Sequence, residues 1–198
     1  MGIYKGLILQ NSAEIVNKVL TGMQKYKVGT GKIPVAQSPI LYRWWFPETS
    51  KVVTILREWK GSDLLAGVQT REFEGKTYYA LYFGKSNNGY RRFCQHSTGN
   101  VHTSTLRRTI HSLLTDDLYT KNTHEQEITD LLRECYFEWT VIGKEDEKLV
   151  ECLEAICIVH GTYPLNIDGN PAINETWRKH MMNERGKVKD KIILTLKN

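Results

Sequence analysis

Alternation and helical spacing of apolar residues divide the chain into a small set of elements. Pro39 to Phe46 (PILYRWWF) and Tyr78 to Phe83 (YYALYF) are aromatic, alternating runs, and both predict strands. Val52 to Arg57 and Tyr136 to Ile142 predict two more, and Asp190 to Lys197 an edge strand. From Ser12 to about Tyr26 the positions Ile15, Val19, Leu20 and Met23 keep helical spacing, with Asn11 or Ser12 as cap and Gly29-Thr30-Gly31 as terminator. Gly84 closes the second strand, and Lys85 to Gly89 reads as a turn. Beyond it Arg92 and His96, four apart, share one face of a helix. A second amphipathic helix carries Leu106, Ile110, Leu113 and Leu114 inward.

Later segments are read in the same way. Gly61 to Lys76 and Thr115 to Thr129 are polar and predict surface excursions, and Glu127 to Arg133 a short helix. Leu149 to His160 is apolar nearly all round, so it predicts a central helix that closes at Gly161. Only Glu151 and Glu154 are charged within it, and a carboxylate in such a helix needs a cation or a metal as partner. Asn174 to Glu184 predicts a final helix before the lysine-rich Gly186 to Lys191.

Composition narrows the class. The chain's 198 residues suit one domain, with 1–36 as a helical arm and 171–198 as a basic extension. A hydrophobic content of 40% and a charged content of 25% describe a soluble globular protein. The formal net charge of +5 favours acidic partners, nucleic acid first. No signal-like opening and no run long enough to span a membrane occurs, which places the chain in the cytoplasm, with no membrane partner. Cys94, Cys135, Cys152 and Cys157 form no CxxC pair and read as free thiols. Cys94 and His96 are close enough to raise a zinc site, but neither knuckle nor ribbon spacing accompanies them.

The candidate chemistry is concentrated between Tyr78 and Leu114, where cations flank a tyrosine-rich strand. Tyr82-Phe83-Gly84-Lys85 resembles the second half-motif of the GIY-YIG nuclease superfamily, with Arg92 ten residues after Tyr82 and an Arg-x-x-x-His pattern to His96. Ile40-Leu41-Tyr42 stands where the family has Gly-Ile-Tyr, without the glycine and forty residues before Tyr82. Gly67-Val68-Gln69 competes for that place with better spacing but no tyrosine, and Tyr42 also reads as a core aromatic. Gly2-Ile3-Tyr4 spells part of the pattern but lacks a partner strand, and chance explains it. Glu154 to Asn166 resembles the last motif, a glutamate on a helix followed by a proline turn and an asparagine. Glu151 fits that spacing less well. The similarity covers about residues 37–170, most closely a bacterial branch with a long insertion between its tyrosine half-motifs.

This resemblance implies an α/β (α+β) fold: a small, mainly antiparallel, three-stranded sheet flanked by helices. It also implies a divalent-metal-dependent DNA endonuclease of restriction or repair type, using Mg²⁺ or Mn²⁺. The alternative is a non-catalytic nucleic-acid-binding domain on the same scaffold. Glu154 would hold the metal, which polarises phosphoryl oxygen. Arg92 would offer a planar fork to non-bridging oxygens. Tyr42 or Tyr82 would take a proton from water, with His96 orienting the phenol or relaying its proton. Asn166 would fix geometry, and Lys85, Arg91, Arg107 and Arg108 would meet the DNA backbone. Cutting both strands of duplex DNA with one site per chain asks for a homodimer or two sequential nicks. Tyr42 and Tyr82 are accordingly expected on neighbouring strands, facing Arg92, His96 and Glu154 in one cleft.

Overall fold

The computed structural model describes residues 12–60, 63–114 and 121–197. The sequence fragment Gly2-Ile3-Tyr4 lies outside them. Among the described residues five strands form one antiparallel sheet: β1 (Gln24–Lys27), β2 (Ile40–Pro47), β3 (Thr70–Phe73), β4 (Lys76–Ser86) and β5 (Tyr136–Val141). Their order across the sheet is β1-β5-β2-β4-β3. Around it lie helices α1 (Ser12–Thr21), α2 (Lys51–Arg57), α3 (Gly89–Ser97), α4 (Thr105–Leu114), α5 (Lys121–Arg133), α6 (Val150–His160) and α7 (Glu175–Lys197). A 3-10 turn, Lys144–Leu149, leads into α6.

The sheet has five strands where three were expected, because short edge strands flank β5, β2 and β4. Strand β1 (QKYK) takes residues that the apolar spacing had assigned to the first helix, which ends at Thr21. Strand β3 (TREF) lies inside the predicted excursion, joined to β4 by a hairpin in which Glu74 (φ 51°) and Gly75 (φ 73°) both adopt positive φ. Each edge strand is four residues long with a single buried aromatic, Tyr26 or Phe73, which is too short for an alternation to be read.

Other expectations are corrected by local chemistry. Val52 to Arg57 is helical, not extended. Ser50 caps it by accepting from the Val53 amide at 3.2 Å, and Val52, Val53 and Leu56 then fall on one buried face. β4 continues through Gly84 to Ser86. Residues 121–133 form one helix, which takes in the later part of the segment expected to be a loop. Asp190 to Lys197 forms no edge strand, because α7 runs unbroken through it.

Every residue of β2 is buried, so both sheet faces are covered. Tyr42, Trp44 and Phe46 point to one face, packed with Phe93 of α3, Leu106 and Ile110 of α4, and Trp177 of α7. Leu41 and Trp45 point to the other, packed with Ile15 and Val19 of α1 and Leu153 and Cys157 of α6. No helix among the described residues is long and apolar enough to cross a membrane.

On the α6 side, Arg43 is fully buried and its Nε lies 2.5 Å from Glu138 Oε2. Arg71 reaches the other carboxylate oxygen at 2.6 Å, and Arg43 also donates to Gln69 at 2.6 Å. One buried carboxylate thus ties together three strand segments. Replacing Glu138 by Ala leaves the Arg43 charge buried without its partner, an expected loss of about 3–5 kcal/mol. Urea unfolding checks this, and an Arg43→Met/Glu138→Leu double substitution should recover most of the loss.

Candidate active site

A β-bulge decides which face the second tyrosine uses. Between β2 and β4 the register runs Trp44↔Tyr82 and then Trp45↔Ala80, so Leu81 has no partner in β2. Strict alternation from Tyr78 would carry Tyr82 to the α6 face with Tyr78 and Ala80. The extra residue reverses the alternation, and Leu81 and Tyr82 both join the face of Tyr42 and Trp44. The two tyrosine rings come within 6.3 Å of each other.

Tyr42 stands opposite Gly84, and the glycine is what admits it. A β-carbon at Gly84 would lie 2.7 Å from the Tyr42 hydroxyl oxygen and 2.8 Å from Cζ. The phenol passes over this bare backbone to α3, where its hydroxyl meets His96 Nε2 at 2.8 Å. His96 Nδ1 in turn lies 2.6 Å from Ser104 Oγ. All three side chains are buried. Asn88 caps α3 by accepting from the Arg91 amide at 2.8 Å, which starts the helix in the register that turns His96 inward.

Arg92, one turn before His96, stands at the rim. Its Nε is buried without a hydrogen-bond partner, and no ion pair holds its guanidinium among the described residues. Beside it opens a groove of about 460 Å³, lined by Lys85 to Asn88 on one side and Arg91, Arg92 and Gln95 on the other. Glu154 comes to the same region from α6. It is half-buried and close enough to both tyrosines to raise their pKa values. Glu151 points outward and bonds Lys85 Nζ at 2.6 Å, which holds its carboxyl below the usual range.

Burial is the main perturbation throughout. It lifts Tyr42 well above the ordinary phenol value, with Tyr82 adding to the rise and Arg92 opposing it. It raises Tyr82 as well, with Glu154 acting in the same sense and Arg92 and Arg185 against. Burial, then Arg92 and Arg107, push His96 well below the ordinary imidazole value, so the ring is neutral. Burial also raises Glu154, against the pull of Lys85. Tyr42, Tyr82, His96 and Glu154 are thus held neutral more strongly than they would be in water, and added positive charge would oppose that for the phenols and the Glu154 carboxyl.

Asn166 faces the backbone of β4. Its Oδ1 accepts from the Phe83 amide and its Nδ2 donates to the Phe83 carbonyl, both at 2.8 Å. β3 pairs only with Lys76 to Tyr79, so the upper half of β4 has an open edge. Asn166 fills that edge, together with the Leu165 amide bonded to the Leu81 carbonyl at 3.0 Å. Both ends of its amide are used between Tyr82 and Gly84.

The two later arginines differ from expectation. Arg107 is fully buried. Its guanidinium bonds Glu125 at 2.9 Å, the carbonyls of His96 and Ser97, and Thr129. This corrects its assignment to the DNA surface: no donor face remains for a phosphate. Arg108 is half-buried and donates to the carbonyls of Val101 and His102. Arg185 on α7 is the cation that the sequence reading missed. It lies near enough to Tyr82 and Arg108 to lower both pKa values, and its own carboxylate contact, Asp168, is 3.8 Å away. The lysine-rich character of that segment concealed it, since only the fold turns this one position toward the tyrosines.

A metal would find one carboxylate here. Among the described residues no group of three His, Cys, Asp or Glu side chains gathers. Among the described residues Glu154 has no ion pair, in contrast to Glu151, and its position suits a hard cation that keeps several waters and takes few protein ligands. A zinc site on Cys94 and His96 does not fit, because Tyr42 and Ser104 occupy both imidazole nitrogens. All four cysteines are free.

A family model described as the GIY-YIG catalytic domain matches residues 40–187. No curated protein and no solved structure gives a match.

Gly84→Ala is expected to drive the Tyr42 ring out of its bed and break its bond to His96. The overpacking should cost roughly 1–3 kcal/mol in urea unfolding. Gly186→Ala in α7, where an added carbon meets nothing within 4 Å, serves as the control and should be neutral or stabilising by up to about 1 kcal/mol.

Proposed function

The chain belongs to the GIY-YIG catalytic-domain family, whose chemistry is of nuclease type, and from that premise we propose that it is a divalent-metal-dependent DNA endonuclease. The observation that carries the reading is the convergence of Tyr42, Tyr82, Arg92, His96 and Glu154 from two strands and two helices, with Arg92 left unpaired beside an open cationic groove. Among the described residues the Arg92 guanidinium has no carboxylate partner, which leaves its donors available to a phosphate.

In this reading Glu154 would hold Mg²⁺ or Mn²⁺, which when bound would supply Lewis-acid polarisation of the phosphoryl oxygen. Arg92 binds the non-bridging oxygens where charge grows as water attacks. One tyrosine of the Tyr42–Tyr82 pair, having first lost its own proton to solvent in the groove, would accept the water's proton as a phenolate, and nearby positive charge would offset the burial that now keeps both neutral. His96 keeps Tyr42 in place. Asn166 holds the backbone between Tyr82 and Gly84, and so acts on the reaction through position alone. Arg91 and Lys85 line the groove along which a phosphate backbone would run. Duplex DNA is the preferred substrate, cut either by two copies of the chain or by successive nicks.

Nicking of supercoiled plasmid in Mg²⁺ or Mn²⁺ tests the activity. Glu154→Gln should lower single-turnover cleavage by roughly a thousandfold or more, since a metal supplies several kcal/mol, while DNA affinity changes little. Glu151→Gln should cleave at close to the unaltered rate. DNA binding with no cleavage in either metal would overturn the nuclease reading and favour a binding domain on the same scaffold.

Salt titrations separate the arginines. Arg91→Ala should flatten the log–log dependence of DNA affinity on salt by roughly 0.9, the value for one phosphate contact on duplex DNA. Arg107→Ala should leave that slope unchanged and instead destabilise the fold by about 3–5 kcal/mol, because it strips a partner from a buried ion pair. A changed slope in the Arg107 variant would contradict the burial seen here.

A further inference from the structure

The hydrogen bonds around His96 can be given a direction, because every group in the chain of contacts is buried and each has a fixed number of hydrogens. Ser104 is completely buried and His96 and Tyr42 are nearly so. Ser104 stands immediately before α4, and its Oγ accepts from the Arg107 amide at 3.1 Å, as a helix cap does. A hydroxyl has one hydrogen to donate besides the pairs it accepts with. Among the described residues the one acceptor within reach of Ser104's hydrogen is His96 Nδ1, at 2.6 Å.

The opposite arrangement fails this accounting. Were Nδ1 to carry the proton, Ser104 Oγ would accept from both the ring and the Arg107 amide. Its own hydrogen would then be buried without an acceptor, which native interiors avoid. With Ser104 donating to Nδ1, the neutral ring carries its proton on Nε2, 2.8 Å from the Tyr42 oxygen. Tyr42 then accepts from the ring, and its own hydrogen turns away from the imidazole, toward Tyr82.

We infer that Ser104 is a positioning residue for the reaction: it fixes His96 as the Nε2–H tautomer, so the ring donates a hydrogen bond to Tyr42 and takes no proton from it. The geometry makes His96 a stabiliser of negative charge on the phenol. A proton leaving Tyr42 departs on the Tyr82 and groove side, not through the ring. The consequence for catalysis rests on the nuclease reading above, whereas the tautomer itself does not.

Two substitutions separate capping from tautomer control. Ser104→Asp keeps an oxygen for the Arg107 amide, but an ionised carboxylate only accepts, so it draws the ring proton to Nδ1. Ser104→Asn keeps the acceptor and also presents an N–H to Nδ1. The measurement is the ¹⁵N spectrum of the histidine rings in the full chain, with His96→Gln identifying the resonances, beside single-turnover cleavage in Mg²⁺ and thermal unfolding. In the unaltered protein and in Ser104→Asn, Nδ1 should appear as an unprotonated nitrogen and Nε2 as a protonated one. In Ser104→Asp, Nδ1 should become protonated and cleavage should fall roughly ten- to hundredfold, the effect of losing one hydrogen bond to a charged group. Ser104→Asn should restore most of that rate. A protonated Nδ1 in the unaltered protein would overturn the assignment. An inverted ring with undiminished cleavage would overturn the positioning role. Absence of cleavage in the unaltered protein would remove the catalytic consequence along with the nuclease reading, while the spectrum still decides the tautomer.

Discussion

The site depends on how one buried phenol is satisfied. Tyr42 is 2% exposed, so its hydroxyl must find a partner inside the protein, and His96 is that partner. For the two to meet, the ring has to lie across Gly84, and α3 has to lie close against the sheet. Phe93 of the same helix stacks parallel to Trp44 with ring centroids 6.0 Å apart, which fixes the helix one turn from His96. Arg92 precedes Phe93, so the contacts that bury His96 also leave Arg92 at the rim. The position of the unpaired cation is therefore a consequence of the buried hydrogen bond and its aromatic support.

Electrostatics divides the arginines into two kinds. Arg43 and Arg107 are fully buried, and each is matched by a carboxylate and by further acceptors. Arg107 also donates to the carbonyls of His96 and Ser97, the last residues of α3, where a cation meets the negative end of the helix dipole. It thus holds α3 from its far end while Tyr42 holds it from the sheet. Among the described residues Arg92, Arg108 and Arg185 have no such close carboxylate, and Arg185 is near enough to Arg108 to depress it. Like charges held together in this way raise the local affinity for anions, and the fold tolerates the arrangement because the buried pairs elsewhere fix its frame.

The sequence revealed those parts that depend on spacing along one element. Arg92 and His96 are four apart on a helix, and Glu154 and Asn166 flank the end of another, so their common region could be anticipated from order and interval. Where the outcome turned on contacts between elements, the reading failed. The direction of Tyr82 is set by an unpaired Leu81 in a register that no periodicity reports. Arg107 and Arg108 are adjacent cations in sequence, yet Glu125, more than a dozen residues on, draws the first inward. Val52 and Val53 looked extended by propensity, and a serine cap with one apolar face made them helical. Arg185 is one cation among several until α7 packs on α4.

The two glutamates of α6 show how small a difference in placement separates the roles proposed for them. Glu151 and Glu154 are nearly one turn apart, but Glu151 is 83% exposed and bonded to Lys85, while Glu154 is half-buried and, among the described residues, without an ion pair. An ion pair that open to water is worth about 0–1 kcal/mol, so Lys85 is held only weakly and remains free to move to a phosphate. Glu154 has the Lys85 backbone as a hydrogen-bond donor and the charges of Lys85 and Arg92 nearby, but these do not offset its burial. Burial favours its protonated form, and the phenols beside it would be charged only at further cost. A cation held by Glu154 would add to Arg92, which already favours the ionised forms of the carboxyl and of both phenols. In the proposed reaction Glu154 would hold the metal, and the positive charge so placed would also ease ionisation of the tyrosine pair beside it.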